Sequence, residues 1–167
     1  MSTMTLPYRE PLVLRDPGER QLPEPPRRGE EGGPPCGICT GKATAAVWSD
    51  DNWTLHPPVG GSLPGAVWLA SRVHVDSFGD LPENLQADFG RVAARVERAI
   101  LSLGDIARVH LYRWGDGGAH FHVWFIPRPL GMLEASGMAL PLWEDVLPNV
   151  SDEELAEAAR EVAAAMQ

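Results

Sequence analysis

The sequence contains few basic residues. Its 167 residues include 14 lysines and arginines against 23 aspartates and glutamates, which gives a formal net charge of -9 at pH 7. Because such a chain repels polyanions at long range, this composition argues against a broad surface for a nucleic-acid polymer. A small phosphorylated ligand is still a compatible partner, since it needs only a local site.

The sequence also lacks a long apolar run. No stretch approaches the roughly 20 apolar residues that a membrane-spanning helix requires. The N-terminal segment MSTMTLPYREPLVLRDPGE has no apolar centre of the kind found in signal peptides. We therefore expect a cytoplasmic protein that has no membrane partner.

Cysteine is scarce, for Cys36 and Cys39 are the only two. Two cysteines are too few for a disulfide scaffold, but their spacing is typical of a metal knuckle or a redox pair. The segment CGICTGK, residues 36–42, favours a zinc knuckle because a glycine closely follows the second thiol. A redox pair would need the first cysteine at a helix start within a βαβ unit, whereas TGKATAAVW is typical of a turn and a strand. Redox thiols and unligated thiols are the alternatives.

Proline, by contrast, is concentrated near the N-terminus. Residues 1–35 hold eight of the 16 prolines and the charged run RRGEEGG, a composition that excludes a regular helix or a central strand. We interpret these residues as an extended, Pro-rich arm, either draped over the domain or a partner, or free, in which the apolar LVL at 12–14 is a candidate contact. Residues 36–167 are expected to form one domain, since the chain is 44% apolar and long enough for a sizeable core.

The remaining pattern predicts an α+β fold. Short strands are expected at TAAVWSD, NWTLH and AVWLAS, and a β-hairpin at 108–114 and 119–126 around the turn GDGG. Apolar residues recur at helical spacing from Leu85 to Leu103, with Asp80 and Gly104 as caps. A last helix is expected from about Ser151 to Ala165. This order predicts an antiparallel sheet of about five strands with one long helix and a C-terminal helix.

The last strand carries two different faces. One face is apolar enough to turn toward the core under the long helix, so the histidine-bearing face should look away from that core. The core face consists of Phe121, Val123 and Phe125, and the other of His120, His122 and Trp124.

HFHVWFIPRP, residues 120–129, resembles the histidine-triad motif, and LPGAVWLASRVHVDSFGDLP, residues 63–82, resembles the segment ahead of the long helix in that superfamily. The resemblance covers most of residues 36–129. It implies that His122, the middle histidine, attacks phosphorus to form a nucleotidyl-histidine. The expected function is hydrolysis or nucleotidyl transfer at a phosphoanhydride or phosphoramidate, with a nucleotide as ligand. A half-buried strand histidine bonded to a carbonyl is the alternative interpretation.

The resemblance also implies a structural zinc. The galactose-1-phosphate uridylyltransferase branch, and some bacterial histidine-triad proteins, bind zinc with a CxxC pair, a histidine before the long helix and the first motif histidine. The matching positions are Cys36, Cys39, His74 and His120. Members often pair, which implies a homodimer.

Three positions depart from the family pattern. Trp124 stands at the third histidine position, GDGGA at 115–119 replaces a polar turn, and Ala66 replaces a common histidine. These departures favour a second hypothesis, a catalytically weakened, zinc-containing domain for ligand binding or interaction.

Several further residues are candidates for substrate contact. They are Trp124, the backbone N–H groups of Gly117 and Gly118, and Arg128, which either binds an anion or forms a surface ion pair. His110 either faces the site or simply lies on the sheet, and His56, before two prolines, is expected in a loop.

Overall fold

The computed structural model describes residues 5–8, 12–13 and 15–167. This part of the chain forms one five-stranded, wholly antiparallel sheet and three α-helices, so the predicted α+β class is confirmed. The sheet order is β1-β2-β3-β5-β4. No helix in the described ranges is long and apolar enough to cross a membrane. The elements are β1 (Trp48–Ser49), β2 (Trp53–His56), β3 (Val67–Ser71), α1 (Glu83–Leu101), β4 (Ile106–Tyr112), β5 (His122–Pro129), α2 (Ala139–Val146) and α3 (Asp152–Ala165).

The main core lies between the sheet and the helices α1 and α3. Alternation along β5 turns Val123 and Phe125 into this core, where both are buried, and Phe121 just before the strand is buried with them. The predicted apolar face of α1 packs against them, with Val96 and Ile100 fully buried. The two faces predicted for this strand are therefore present in the fold.

The hairpin between β4 and β5 is wider than the sequence predicts. The ladder between these strands ends at Tyr112 and Trp124, and the residues between Tyr112 and β5 form a long connection instead of a four-residue turn. The reason is tertiary: the backbone N–H of Phe121 donates to Val75 at 2.6 Å, and its carbonyl accepts from Ser71 at 3.2 Å. These bonds hold the end of the connection beside β3 and the segment after it.

The predicted start of α1 is also wrong by one short turn. Asp80 belongs to a capping box with Ser77 around a single 3₁₀ turn, Phe78–Asp80, and α1 begins after Pro82. Gly104 does follow the end of the helix with a φ of +79°, a conformation that favours glycine. At α3 the Ser151 hydroxyl accepts from the Glu154 N–H in the expected capping box.

Helix α2 was not predicted, and it covers part of the second face of the sheet. It is a short element with a proline in its first turn, a position that tolerates the missing N–H. Its buried Leu140 and half-buried Trp143 join Leu63 and Ile126 in a second apolar cluster, to which Trp124 also packs. The histidine-bearing face is therefore partly covered rather than freely exposed.

Candidate metal centre and adjoining cavity

Four potential metal ligands meet at one end of the sheet. Cys36 directly precedes a run of turns at residues 37–41 and Cys39 lies within it, His74 follows β3, and His120 precedes β5. One ligand atom from each lies within 4.8 Å of the other three. His120 Nδ1 is 3.3 Å from Cys36 Sγ and 3.6 Å from Cys39 Sγ. His74 Nδ1 is 3.3 Å from Cys39 Sγ. These predicted ligands therefore form a single Cys₂His₂ cluster that can hold a metal ion.

The chemistry of this cluster fits zinc. His120 Nε2 lies 2.8 Å from the carbonyl oxygen of Ser71, so Nε2–H donates there and Nδ1 presents its lone pair to the thiols. Burial lowers the pKa of His120, which keeps the ring neutral as a ligand must be. Burial raises the pKa of the Cys39 thiol, an effect that a bound cation would oppose. Two thiolates and two imidazoles are a common donor set of closed tetrahedral zinc sites.

The redox alternative loses its structural context. Both cysteines are free thiols, and residues 37–41 form consecutive turns, so no α-helix begins at Cys36 in the described chain. A low-pKa redox cysteine normally relies on such a helix N-terminus. The backbone N–H of Cys39 instead lies 3.5 Å from Cys36 Sγ, as in a metal knuckle.

His122 is held in one tautomer by its own strand. Its Nδ1 lies 2.7 Å from the carbonyl oxygen of His120, which accepts the Nδ1 proton and leaves a lone pair on Nε2. Nothing in the described ranges hydrogen-bonds to Nε2, and the residue is half-buried in the wall of a cavity. The half-burial and the carbonyl bond fit the alternative interpretation of His122, whereas an unprotonated Nε2 in the cavity wall, without a partner among the described residues, is what the nucleophile interpretation requires.

The cavity beside His122 has a volume of about 360 Å³, within the range of small-molecule sites. Its wall is largely apolar, and Trp68 and Trp124 are its largest side chains. Arg28 and Lys42 also line it, whereas no aspartate or glutamate does. The cavity therefore combines a flat aromatic surface with positive charge, although the chain as a whole is acidic.

The predicted substrate contacts divide into two groups. Trp124, Gly117 and Gly118 line the cavity together with His122. His110 and Arg128 do not: His110 pairs with Ile126 further along the sheet, and Arg128 donates to its neighbours' carbonyls, at 3.1 Å to Met132. Burial lowers the pKa of His110, whose Nε2 is buried without a hydrogen-bond partner in the described chain. Of the two interpretations left open for His110, the geometry favours a position on the sheet.

Sequence reasoning did not assign Trp68 to the site, and it misplaced His56, which supports Trp68. His56 lies in β2 rather than in a loop, and only 6% of it is exposed. Its ring stacks on Trp68 at 4.0 Å between centroids, and both ring nitrogens are hydrogen-bonded, to Thr44 O at 2.6 Å and Thr54 Oγ1 at 2.9 Å. Trp68 meets His122 edge to face at 6.1 Å. The alternation of AVWLAS, which puts Trp68 on the face opposite Val67 and Leu69, was the available signal.

The last part of the N-terminal arm also contacts this region. Arg27 donates to Asp76 at 2.6 Å and to the carbonyl of Gly115 at 2.8 Å, and this guanidinium lowers the pKa of Asp76. The carbonyl of Arg28 accepts from Ala119 N–H at 2.8 Å. Further upstream, Leu12 and Val13 are exposed, whereas residues 1–4, 9–11 and 14 lie outside the described residues. A domain that begins at residue 36 stays a prediction.

This fold is similar to those of several solved structures. No family model matches the chain, and no curated protein sequence matches it. A Hit-like protein involved in cell-cycle regulation from Bartonella henselae matches with a TM-score of 0.58 and 15% identity, over 77% of this chain and 90% of that one. A hypothetical histidine triad nucleotide-binding protein from Sulfolobus tokodaii matches with a TM-score of 0.57 and 14% identity, over 78% of this chain and 89% of that one. A Zn-bound histidine triad family protein from Mycobacterium smegmatis matches with a TM-score of 0.55 and 20% identity, over 78% of this chain and 89% of that one. The chain therefore has the histidine-triad fold that its motifs predict.

Proposed function

We propose that the protein is a nucleotide hydrolase or nucleotidyltransferase of the histidine-triad type, with His122 as the nucleophile. The observation that carries the proposal is that His122 lines the cavity with an Nε2 that has no hydrogen-bond partner in the described ranges, while the one hydrogen bond of the ring runs from Nδ1 to the His120 carbonyl at 2.7 Å. That bond fixes the tautomer whose Nε2 lone pair is available in the cavity, and a neutral imidazole is a competent nucleophile near pH 7.

The proposed reaction consists of two displacements at phosphorus. His122 Nε2 forms a bond to the phosphorus atom while the bond from phosphorus to the leaving oxygen or nitrogen breaks, and the leaving group takes up a proton from solvent. Water or another acceptor then attacks the nucleotidyl-histidine, loses its proton and releases the imidazole. Splitting the transfer in this way lets one site serve hydrolysis and transfer alike.

The proposal includes a structural zinc at the four-residue cluster. Support comes from the Cys₂His₂ donor set and from the Zn-bound neighbour of the same fold. When bound, zinc supplies a fixed tetrahedral crosslink among three separated segments. His120 is then a ligand whose carbonyl orients His122, so the cluster and the nucleophile are connected through one residue.

The proposed ligand is a small phosphorylated molecule with a flat ring, of which a nucleotide is the common example. Trp68 and Trp124 offer stacking surface, Arg28 and Lys42 offer positive charge, and one structural neighbour is described as nucleotide-binding. A homodimer stays a prediction from the family resemblance.

A second candidate function, a binding domain without turnover, is favoured by Trp124. The indole lines the cavity where the family usually has a polar phosphate contact, and it can donate only one hydrogen bond. Such a domain would bind phosphorylated ligands in the same cavity but form no bond to His122.

The decisive experiment compares three histidine variants on a panel of nucleotides, nucleoside phosphoramidates and sugar nucleotides. His122→Ala should abolish turnover and retain zinc and melting temperature, whereas His120→Ala should lose zinc and stability first. His110→Ala is the matched control, since His110 lies on the same sheet outside the cavity, and it should keep both zinc and turnover.

Mass spectrometry provides the direct readout. A phosphorus-linked adduct on His122, trapped by rapid alkaline denaturation, is expected in the parent protein and the His110→Ala control, but not in His122→Ala. If the whole panel gives neither adduct nor turnover, the enzyme proposal fails and the binding domain replaces it.

A further inference from the structure

We infer that Arg28 and Lys42 form the phosphate-binding side of the cavity, so that the end of the N-terminal arm is part of the active site. This inference rests on the proposed function, because it names the groups that would hold the phosphorylated ligand beside His122. Neither residue belongs to the histidine-triad motif or to the segment ahead of the long helix.

Arg28 is held in place by its own backbone and by its neighbour. It forms a parallel β-bridge with Gly118, and its carbonyl accepts from Ala119 N–H at 2.8 Å. In an extended segment successive side chains point in opposite directions. Arg27 accordingly reaches Asp76, whereas Arg28 lines the cavity. The ion pair of Arg27 thus anchors the segment that presents Arg28.

The residue after Arg28, Gly29, packs the arm against the Cys₂His₂ cluster. Gly29 has a φ of +90°, and a Cβ at this position would lie 2.9 Å from the His74 ring and 3.3 Å from the Cys36 side chain. Only glycine fits both the conformation and the space. The arm therefore packs closely on two of the proposed zinc ligands one residue after Arg28.

Lys42 is the second cation that lines the cavity, and it lies at the end of the cysteine loop, residues 36–42. Its backbone N–H donates to the Gly37 carbonyl at 2.8 Å, and Thr40 Oγ1 donates to the Cys36 carbonyl at 2.7 Å, so the loop is closed on itself. The Lys42 ammonium has no hydrogen-bond or ion-pair partner in the described part of the chain, and the residue is exposed at the cavity wall. It is also the only lysine in the sequence.

The positive charge in the cavity favours a ligand that carries a phosphate group over an uncharged ligand. Two cations line the cavity and no carboxylate opposes them, in a chain of net charge -9. The Arg28 guanidinium has one protein acceptor in the described ranges, the Pro35 carbonyl at 3.2 Å, which leaves other N–H groups for a ligand. A guanidinium binds phosphate oxygens in pairs and an ammonium adds a point charge. Together they replace the polar turn and the third histidine that the sequence lacks.

Titration calorimetry that compares each nucleoside monophosphate with its nucleoside tests the inference. The probes are the four ribonucleoside 5′-monophosphates and the corresponding nucleosides, titrated into Arg28→Met, Lys42→Met and the control Arg20→Met, an exposed arginine of the arm outside the cavity. At least one monophosphate should bind the parent more tightly than its nucleoside. Each cavity variant should weaken that monophosphate about tenfold, as expected for one charge-assisted hydrogen bond. The control and the nucleoside affinities should not change.

Chemical labelling of the single lysine supplies an independent readout. Acylation of Lys42, followed by mass spectrometry with the N-terminal amine as internal reference, should slow in the presence of the saturating monophosphate that binds best. Equal affinity for nucleoside and monophosphate, no binding of any monophosphate, or unchanged acylation would overturn the inference.

The outcomes separate this inference from the proposed function. Phosphate binding that depends on Arg28 and Lys42, but without turnover or adduct, would refute the enzyme and leave the binding role intact. Turnover with unchanged KM in the double variant Arg28→Met/Lys42→Met would refute the binding role and leave the enzyme intact.

Discussion

Replacement of Phe121 tests whether the core positions the two functional histidines. Phe121 is fully buried between His120 and His122 in the sequence, and its ring lies 4.7 Å from that of Phe78 and 6.0 Å from that of Trp53, between centroids. Its backbone N–H donates to the Val75 carbonyl, and its carbonyl accepts from the Ser71 N–H at the end of β3. Phe121→Ala would therefore create a cavity directly under the segment that carries the nucleophile and a proposed metal ligand.

The expected cost follows from complete burial. Removing a buried phenylalanine side chain costs about 3–5 kcal/mol, and aromatic pairs add about 0.5–1.5 kcal/mol beyond burial, so the upper end of the range, about 5 kcal/mol, is expected. That loss is a large share of the roughly 5–15 kcal/mol that stabilises a typical domain. Zinc affinity should fall as well, because His120 loses the support of its neighbour.

The assay is urea unfolding, with saturating zinc and with a chelator, with the free energy taken by linear extrapolation. Leu130→Ala is the control, since Leu130 is 67% exposed in a turn after β5, and its cost should stay within about 0.5 kcal/mol. A cost below about 2 kcal/mol for Phe121→Ala would refute the packing argument, and unchanged zinc affinity would refute the link from the core to the cluster.

Three further predictions concern the metal, the arm and the cavity. Elemental analysis should find about one zinc per chain, and Cys36→Ser or His74→Ala should lose metal and lower the melting temperature, while unchanged metal and melting in both variants would remove the zinc hypothesis. A chain that begins at Glu31 should still unfold cooperatively but lose about 2 kcal/mol relative to one that begins at Pro25, because the Arg27 ion pair and the backbone bond of Arg28 are absent. Aggregation of the shorter chain in place of cooperative melting would show that the arm is required for folding. Trp124→His should raise hydrolysis of a nucleoside phosphoramidate, because an imidazole restores a polar phosphate contact; a fall from high parental activity would show that the indole itself contributes.

The sequence by itself determined the features that depend on local patterns. Alternation at 120–126 separates Phe121, Val123 and Phe125 from the histidines because a strand has a period of two. The apolar repeat of α1 and the capping box at Ser151 likewise need only residues a few positions apart. The CxxC spacing of Cys36 and Cys39 is also a local pattern, whereas His74 and His120 were assigned to the same cluster by the resemblance to the histidine-triad superfamily.

Only the tertiary structure decided which residues line the cavity. His110 and Arg128 share strands with the site, yet they lie beyond Trp124 and outside the cavity, because the register of β4 on β5 places His110 opposite Ile126. The width of the β4–β5 connection was likewise set by bonds from Phe121 to residues about 50 positions earlier in the chain, Ser71 and Val75. Arg28 enters the cavity only because the arm folds back onto the glycine turn. Contacts between segments so distant in sequence depend on how the elements pack, and no local period or spacing records that packing.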